Sequence, residues 1–335
     1  MSWVTRDFIR ECETKVLAGK QLEFDEGLQL ISVEGPDVID LIAAANRVRH
    51  EFKGDMISLC SIVNAKSGAC SENCSFCAQS AHFKTEIETY PLMNADEIVQ
   101  AAQEVESHGA QALGIVAAWK GLKEGPVLEN VLDRLRVLSS TGLQADASLG
   151  IISDPQIAHK LKEAGLHTYN HNLETAESHF NQICTTHTYQ DRVQTIRFLK
   201  EAGVRICSGG IFGMGENLKQ RVEMAMALRE LEVDVVPLNF LHAIHGTPLE
   251  GVESLVPMEI LKIIATYRML LPEKDIMTAG GRELHLRDLQ SWMYAAGASH
   301  TLIGNYLTTE GRKAGEDLRM IRDLGLKVAS DVVMA

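Results

Sequence analysis

The chain has 335 residues, 45% hydrophobic and 23% charged, a globular composition with length enough to bury a core without disulfide staples. Its formal charge of −13 argues against nucleic-acid and anionic-membrane partners, since both reward a basic surface. No apolar run reaches the ~18 residues of a membrane span, and Met1–Glu11 carries charges where a signal peptide needs an apolar core, so a cytoplasmic protein is expected.

Residues 1–50 read as a short N-terminal helical extension, with breaks near Gly27 and at Gly35-Pro36. From Met56 onward, short apolar runs alternate with amphipathic stretches. Strands are predicted near 56–63, 112–118, 143–149, 167–171, 204–210, 234–240, 275–279 and 300–304. Helices are predicted over 94–109, 127–140, 155–165, 189–202, 217–232, 258–271, 284–297 and 311–324. Eight βα units at this spacing suggest an α/β fold of the TIM-type (β/α)8 barrel class over residues 51–335. An open doubly wound sheet shares that periodicity. Glycines follow several strands, at Gly209-Gly210, Gly213, Gly215 and Gly280-Gly281, where a backbone turns sharply or approaches a ligand.

The segment after the first strand, Cys70-Ser-Glu-Asn-Cys74-Ser-Phe-Cys77, holds three of the seven cysteines in eight residues. Three close thiolates suit a soft metal centre. A four-iron cluster takes four thiolates, so three leave one iron open to another molecule. A zinc loop wants a fourth Cys or His at set spacing, and no Cys-x-x-Cys pair follows downstream. Disulfides suit poorly a chain of seven Cys with no secretory signal. The triad also falls at the C-terminal end of a strand, the active face of parallel barrels.

Three further segments fall at equivalent positions: Tyr169–Glu174, Cys207–Glu216 and Val236–Phe240. Asn170, Asn172 and Asn239 can each donate and accept hydrogen bonds and suit an uncharged polar substrate such as a cyclic urea or amide. Loop capping accounts for any one of them alone. Glu174 is placed to hold a ribose diol, or is a surface carboxylate. Gly213-Met214-Gly215 is a weak nucleotide-loop signal, with Met214 more suited to packing. His171 and His187 are ligand types, though a single His is more often structural.

The CxxxCxxC spacing, with Phe76 before the last Cys, resembles the radical S-adenosylmethionine superfamily. Longer segments resemble the biotin synthase family: Asn64-Ala-Lys-Ser-Gly-Ala-Cys70, Tyr169-Asn-His-Asn-Leu173, Thr185-Thr-His-Thr-Tyr189, Cys207-Ser-Gly-Gly210, Gly246-Thr-Pro-Leu249 and Gly280-Gly-Arg-Glu283. The resemblance runs from about Cys60 to Leu324. It implies a TIM barrel on which Cys70, Cys74 and Cys77 hold a 4Fe-4S cluster whose open iron is chelated by S-adenosyl-L-methionine. One electron then cleaves the cofactor to a 5′-deoxyadenosyl radical, which takes hydrogen from dethiobiotin, and sulfur from an auxiliary iron–sulfur cluster closes the ring. Asn172, Glu174 and Ile211 would bind the cofactor, and Asn170, Asn172 and Asn239 the substrate. No side-chain acid or base is required. The expected partners are dethiobiotin and a one-electron donor such as flavodoxin or ferredoxin, with no nucleic acid and no membrane. The sequence does not fix the oligomeric state; a homodimer is one expectation.

The well-known form of the family holds its auxiliary two-iron cluster with three Cys and one Arg. The resemblance places those positions at Gly114, Asp146, Cys207 and Met277, where a single thiol remains. Cys60, Cys184 and Cys207 are therefore expected to hold a different auxiliary iron–sulfur cluster, unless Cys60 and Cys184 are small buried hydrophobes. Cys12 is a bystander in the helical extension. Two other readings stand beside this one. A related radical barrel without sulfur insertion, of the methylornithine synthase or hydrogenase-maturation type, would cleave the cofactor without forming biotin. A non-catalytic iron–sulfur or zinc protein would not cleave it.

Overall fold

A computed structural model of the chain describes residues 3–328. Eight parallel strands form a ring: β1 Met56–Lys66, β2 Ala112–Ala117, β3 Gln144–Ser148, β4 Leu166–Asn170, β5 Arg205–Cys207, β6 Val235–Phe240, β7 Asp275–Thr278 and β8 His300–Leu302. Each pairs with the next. The last returns to the first through Ser58–His300, Leu59–Thr301 and Cys60–Leu302. That closing pair decides between the two topologies the periodicity allows. The sheet is a TIM-type barrel.

Four short strands lie off the ring: Gly121–Leu122 pairs with Ile151–Ile152, Gly210–Phe212 with β6, and Lys327–Val328 with the start of β1. Ser208 and Gly209 interrupt the strand expected over 204–210.

The helices are α1 Trp3–Leu17, α2 Phe24–Ile31, α3 Asp37–Lys53, α4 Ala95–Ser107, α5 Pro126–Ser139, α6 Pro155–Glu163, α7 Glu177–Ile183, α8 Tyr189–Glu201, α9 Leu218–Glu230, α10 Pro257–Leu270, α11 Arg282–Leu286, α12 Trp292–Ala295 and α13 Ala314–Asp323. Reciprocal caps open α4 (Asn94, Glu97), α8 (Thr188, Asp191) and α9 (Asn217, Gln220), each worth about 1 kcal/mol. Pro126, Pro155 and Pro257 sit in first turns, where a missing N–H costs nothing. The break expected near Gly27 does not occur. Gly27 lies within α2, where a Cβ would meet Leu270 Cδ2 at 2.9 Å, so its small size serves close packing of α2 on α10. The helix expected over 284–297 is broken, because Arg287 takes φ 50° and a 3-10 turn follows it. Short α7, lacking a side-chain cap, escapes the periodicity altogether. No helix among the described residues is long and apolar enough to cross a membrane.

Strand register fixes what meets on the barrel axis. Burial alternates along β3, so Gln144, Asp146 and Ser148 share its inward face. Cys60 pairs with Ala112 and Ala112 with Gln144; two residues on, Asp146 pairs with Thr168 and Thr168 with Arg205. The same two-residue advance leads to Cys207, then to Met277, then back to Cys60. This is the stagger of a TIM barrel, whose axial layers take one side chain from each alternate strand. Cys60, Asp146, Cys207 and Met277 thus form one layer. Ala112, Thr168, Val235 and His300 form the layer beneath it.

Arg282 of α11 and Asp317 of α13 bond at 2.5 Å with neither side chain exposed, tying the last helix to the barrel. Removing one partner strands a buried charge. Asp317→Ala should therefore lower unfolding free energy by about 3–5 kcal/mol in urea titrations; a loss below about 1 kcal/mol would show the pair contributes little.

Candidate active site

Past β1 the pairing continues as two isolated bridges, Ser67 with Tyr90 and Cys70 with Ser80. Gly68 and Ala69 then take φ of 72° and 52°, swinging the chain across the barrel mouth. Lys66 Nζ donates to the carbonyls of Gly68 at 2.8 Å and Ala118 at 2.7 Å. Backbone bonds join Cys70 N to Gln79 O at 3.0 Å, Ala81 N to Cys70 O at 2.7 Å, and Cys77 N to Cys74 O at 2.9 Å. These contacts hold all three triad thiols on one wall of a mouth cavity of about 400 Å³, a size usual for small-ligand sites.

A single ion needs its ligand atoms close together. Among the described residues, the trio within 4.8 Å of one another is Cys74, Cys184 and His187, not Cys70, Cys74 and Cys77. The wider spread of the triad suits a polynuclear cluster rather than one zinc. Burial pushes the Cys70 and Cys77 thiols up, Cys77 to about 11. Bound metal cations would reverse that by holding the thiolates directly.

The end of β4 carries a polar network beside the triad. Arg192, from α8, donates through Nη1 to the Asn172 carbonyl at 2.8 Å and to Glu174 at 3.3 Å, and through Nε to His187 at 3.0 Å. His187 in turn bonds Glu72 at 2.5 Å. Asn172 Nδ2 reaches Glu174 at 3.3 Å while its Oδ1 accepts from Gly209 N at 3.2 Å. Burial raises the Glu174 carboxyl, with Arg192 and Asn172 opposing. Arg192 went unnoticed in the sequence because nothing local separates it from any arginine on a helix.

His171 and Ile211 line the same cavity, and His171 is kept neutral by burial. Asn239 Nδ2 donates to Gly210 O at 3.2 Å and its Oδ1 accepts from Gly280 N at 2.9 Å, so this amide also braces two glycine turns. The Gly213-Met214-Gly215 loop differs from a nucleotide loop. Glu216 takes the amides of Gly213 and Met214, and Met214 is buried packing.

Beneath the mouth, Cys60, Asp146, Cys207, Met277 and His300 all line a second cavity inside the barrel. Ile62, Val116, Asn170 and Met277 line both cavities, so the two adjoin along the barrel axis. The Cys60 thiol points at Met277 Sδ, 3.5 Å away. Burial pushes Cys60, Cys207 and Asp146 up. Both ring nitrogens of His300 are buried without a hydrogen-bond partner, while Asp146 Oδ1 faces His167 Nδ1 at 3.5 Å.

Residues 65–228 match the Radical SAM superfamily, and residues 237–327 match the Biotin and Thiamin Synthesis associated domain. A biotin synthase of Citrifermentans bemidjiense is 52% identical over 320 residues, spanning 95% of this chain and 97% of the relative. One of Geobacter sulfurreducens is 50% identical over 315 residues, spanning 94% and 95%. The chain belongs to the biotin synthase family. Among solved structures, methylornithine synthase superposes with a TM-score of 0.83 at 22% identity, covering 95% of this chain and 97% of that one. The FeFe-hydrogenase maturase HydG of Carboxydothermus hydrogenoformans gives 0.80 at 18% identity, covering 96% and 79%. At these identities the two show the fold alone.

One expectation for this biotin synthase family member needs correcting. Cys60 and Cys207 meet in the interior layer, but Cys184 does not join them. It follows α7 and packs against the Cys70–Cys77 loop, 3.8 Å from Cys74 and 3.4 Å from His187. The hydrogen bond from Cys74, aided by His187 and Thr186, pulls the Cys184 thiol down to about 3. Sequence distance from a strand end says nothing about which side of a loop a thiol takes.

Gly210 tests how tightly the mouth is built. A Cβ there would lie 2.4 Å from Glu174 O and 2.5 Å from Met224 Sδ, whereas one at Gly251 would meet nothing. Gly210→Ala should lower stability by about 1–3 kcal/mol and Gly251→Ala by less than about 0.5. Equal thermal-unfolding shifts would contradict this.

Proposed function

We propose that this chain inserts sulfur into dethiobiotin to form biotin, using a 4Fe-4S cluster with S-adenosyl-L-methionine at the mouth and an auxiliary iron–sulfur cluster in the barrel interior. The observation that carries the reading is the pair of thiol sets at different depths, in two adjoining cavities that share lining residues. Cys70, Cys74 and Cys77 would hold the first cluster; Cys60 and Cys207 would hold the second. When bound, these groups supply the hydrogen-abstracting and sulfur-donating chemistry.

The residues of the chain bind, orient and exclude water. Glu174, fixed by Arg192 and Asn172, presents a buried carboxylate to the ribose hydroxyls of the cofactor. Ile211 offers an apolar wall beside it. Asn170, facing both cavities, would place the ureido ring of the substrate between the two thiol sets, with Asn172 and Asn239 supporting it through their remaining hydrogen-bonding capacity. The enclosing walls keep quenchers from the reacting carbon. A one-electron donor of the flavodoxin or ferredoxin class and a reducing cytoplasmic setting belong to the same reading.

The decisive assay supplies anaerobic holoenzyme with dithionite, S-adenosyl-L-methionine and dethiobiotin. Biotin and 5′-deoxyadenosine should both form. Release of 5′-deoxyadenosine without biotin would instead mark a radical enzyme lacking sulfur insertion. Cys60→Ser and Cys207→Ser should abolish biotin while leaving 5′-deoxyadenosine release, and Cys184→Ser should retain biotin.

Arg192→Met should weaken S-adenosyl-L-methionine binding by roughly 10–100-fold, the loss of hydrogen bonds to a charged group. Without the guanidinium, the Glu174 pKa rises further above its ordinary value. Cofactor binding in the variant should therefore fail at a higher pH than in the wild type as the solution is acidified. Titration calorimetry at several pH values reads both effects, and unchanged affinity would overturn the role given to Glu174.

A further inference from the structure

We propose that His300 is a protein ligand of the interior iron–sulfur centre, joining Cys60 and Cys207. The inference rests on the reading that the interior holds such a centre, and it names a ligand that neither the cysteine count nor the family resemblance supplies.

His300 stands on β8, paired with Met277 and one layer below the two thiols, and lines the same cavity. It is 9% exposed, yet neither ring nitrogen has a hydrogen-bond partner among the described residues. His179 Nε2 bonds Met214 O at 3.2 Å, His285 Nε2 bonds Leu241 O at 2.8 Å and His187 bonds Glu72, while buried His171 at the mouth leaves one nitrogen, Nε2, unpartnered. An imidazole buried with both nitrogens unpaired is destabilising, and a bound ion is one of the recognised explanations.

The chemistry of the site favours the imidazole over its neighbours. The Met277 thioether is a weak neutral donor and the Asp146 carboxylate a hard one, whereas imidazole suits iron and replaces thiolates in known two-iron centres. A neutral third ligand also adds no negative charge to an interior already holding two thiolates and a carboxyl group.

The test uses holoenzyme grown with 15N-histidine and pulsed electron paramagnetic resonance of the reduced interior centre. The histidine label excludes the amino nitrogen of S-adenosyl-L-methionine as a source of signal. A 15N coupling is expected in the wild type and should vanish in His300→Cys, which keeps its iron but shifts the interior reduction potential downward as a thiolate replaces imidazole. His300→Ala should lose all iron beyond the loop cluster. Interior iron without 15N coupling, or full iron retention in His300→Ala, overturns the proposal. Wild-type protein with no iron beyond the loop cluster overturns the interior-centre reading and this proposal with it.

Discussion

Closure of eight staggered strands is the constraint on which everything else depends. It alone brings Cys60, Asp146, Cys207 and Met277, drawn from four separate βα units, to one level on the barrel axis. TIM barrels fill such layers with branched aliphatic side chains and are packed solid. Here Gly114 contributes no side chain, and thiols, a carboxyl group and a histidine stand where Val, Ile and Leu would serve stability. A protein that leaves orphaned polar atoms on its own axis gives up stability there, which points to a guest that satisfies them.

The mouth shows the complementary solution. Several of its polar groups are bonded to one another: Arg192 spans the Asn172 carbonyl, Glu174 and His187, while Asn172 and Asn239 brace the glycine turns. A network satisfied in this way is stiff, and stiffness at the rim positions a ligand without requiring a side-chain acid or base. The rim is therefore preformed, while the axis is built around something it must receive.

Much of the fold was readable because barrel strands are short apolar runs bounded by glycine turns and polar caps, so all eight fell within a few residues of their observed limits. What failed was local geometry against tertiary pressure. Gly27 suggested a break but serves packing against Leu270, and Arg287 at positive φ splits a helix whose apolar spacing looks continuous. That Cys70, Cys74 and Cys77 come together at the mouth was legible because their spacing is local. Arg192 and His300 were not, since their roles arise only when α8 folds beside the end of β4 and β8 closes on β1. Cys184 misled for the same reason. It is adjacent in sequence to a strand-end loop, but in space it faces Cys74 rather than the axis.

The central claim is that one chain carries two separate iron–sulfur sites, a loop site and an axial one. The most direct measurement is the iron and sulfide content, with Mössbauer spectra, of anaerobically reconstituted protein in which Cys70, Cys74 and Cys77 are all replaced by Ala. The account predicts that iron and sulfide remain bound after the loop cluster is gone, with a spectrum of a single iron–sulfur species. Protein devoid of iron after that triple replacement would contradict it.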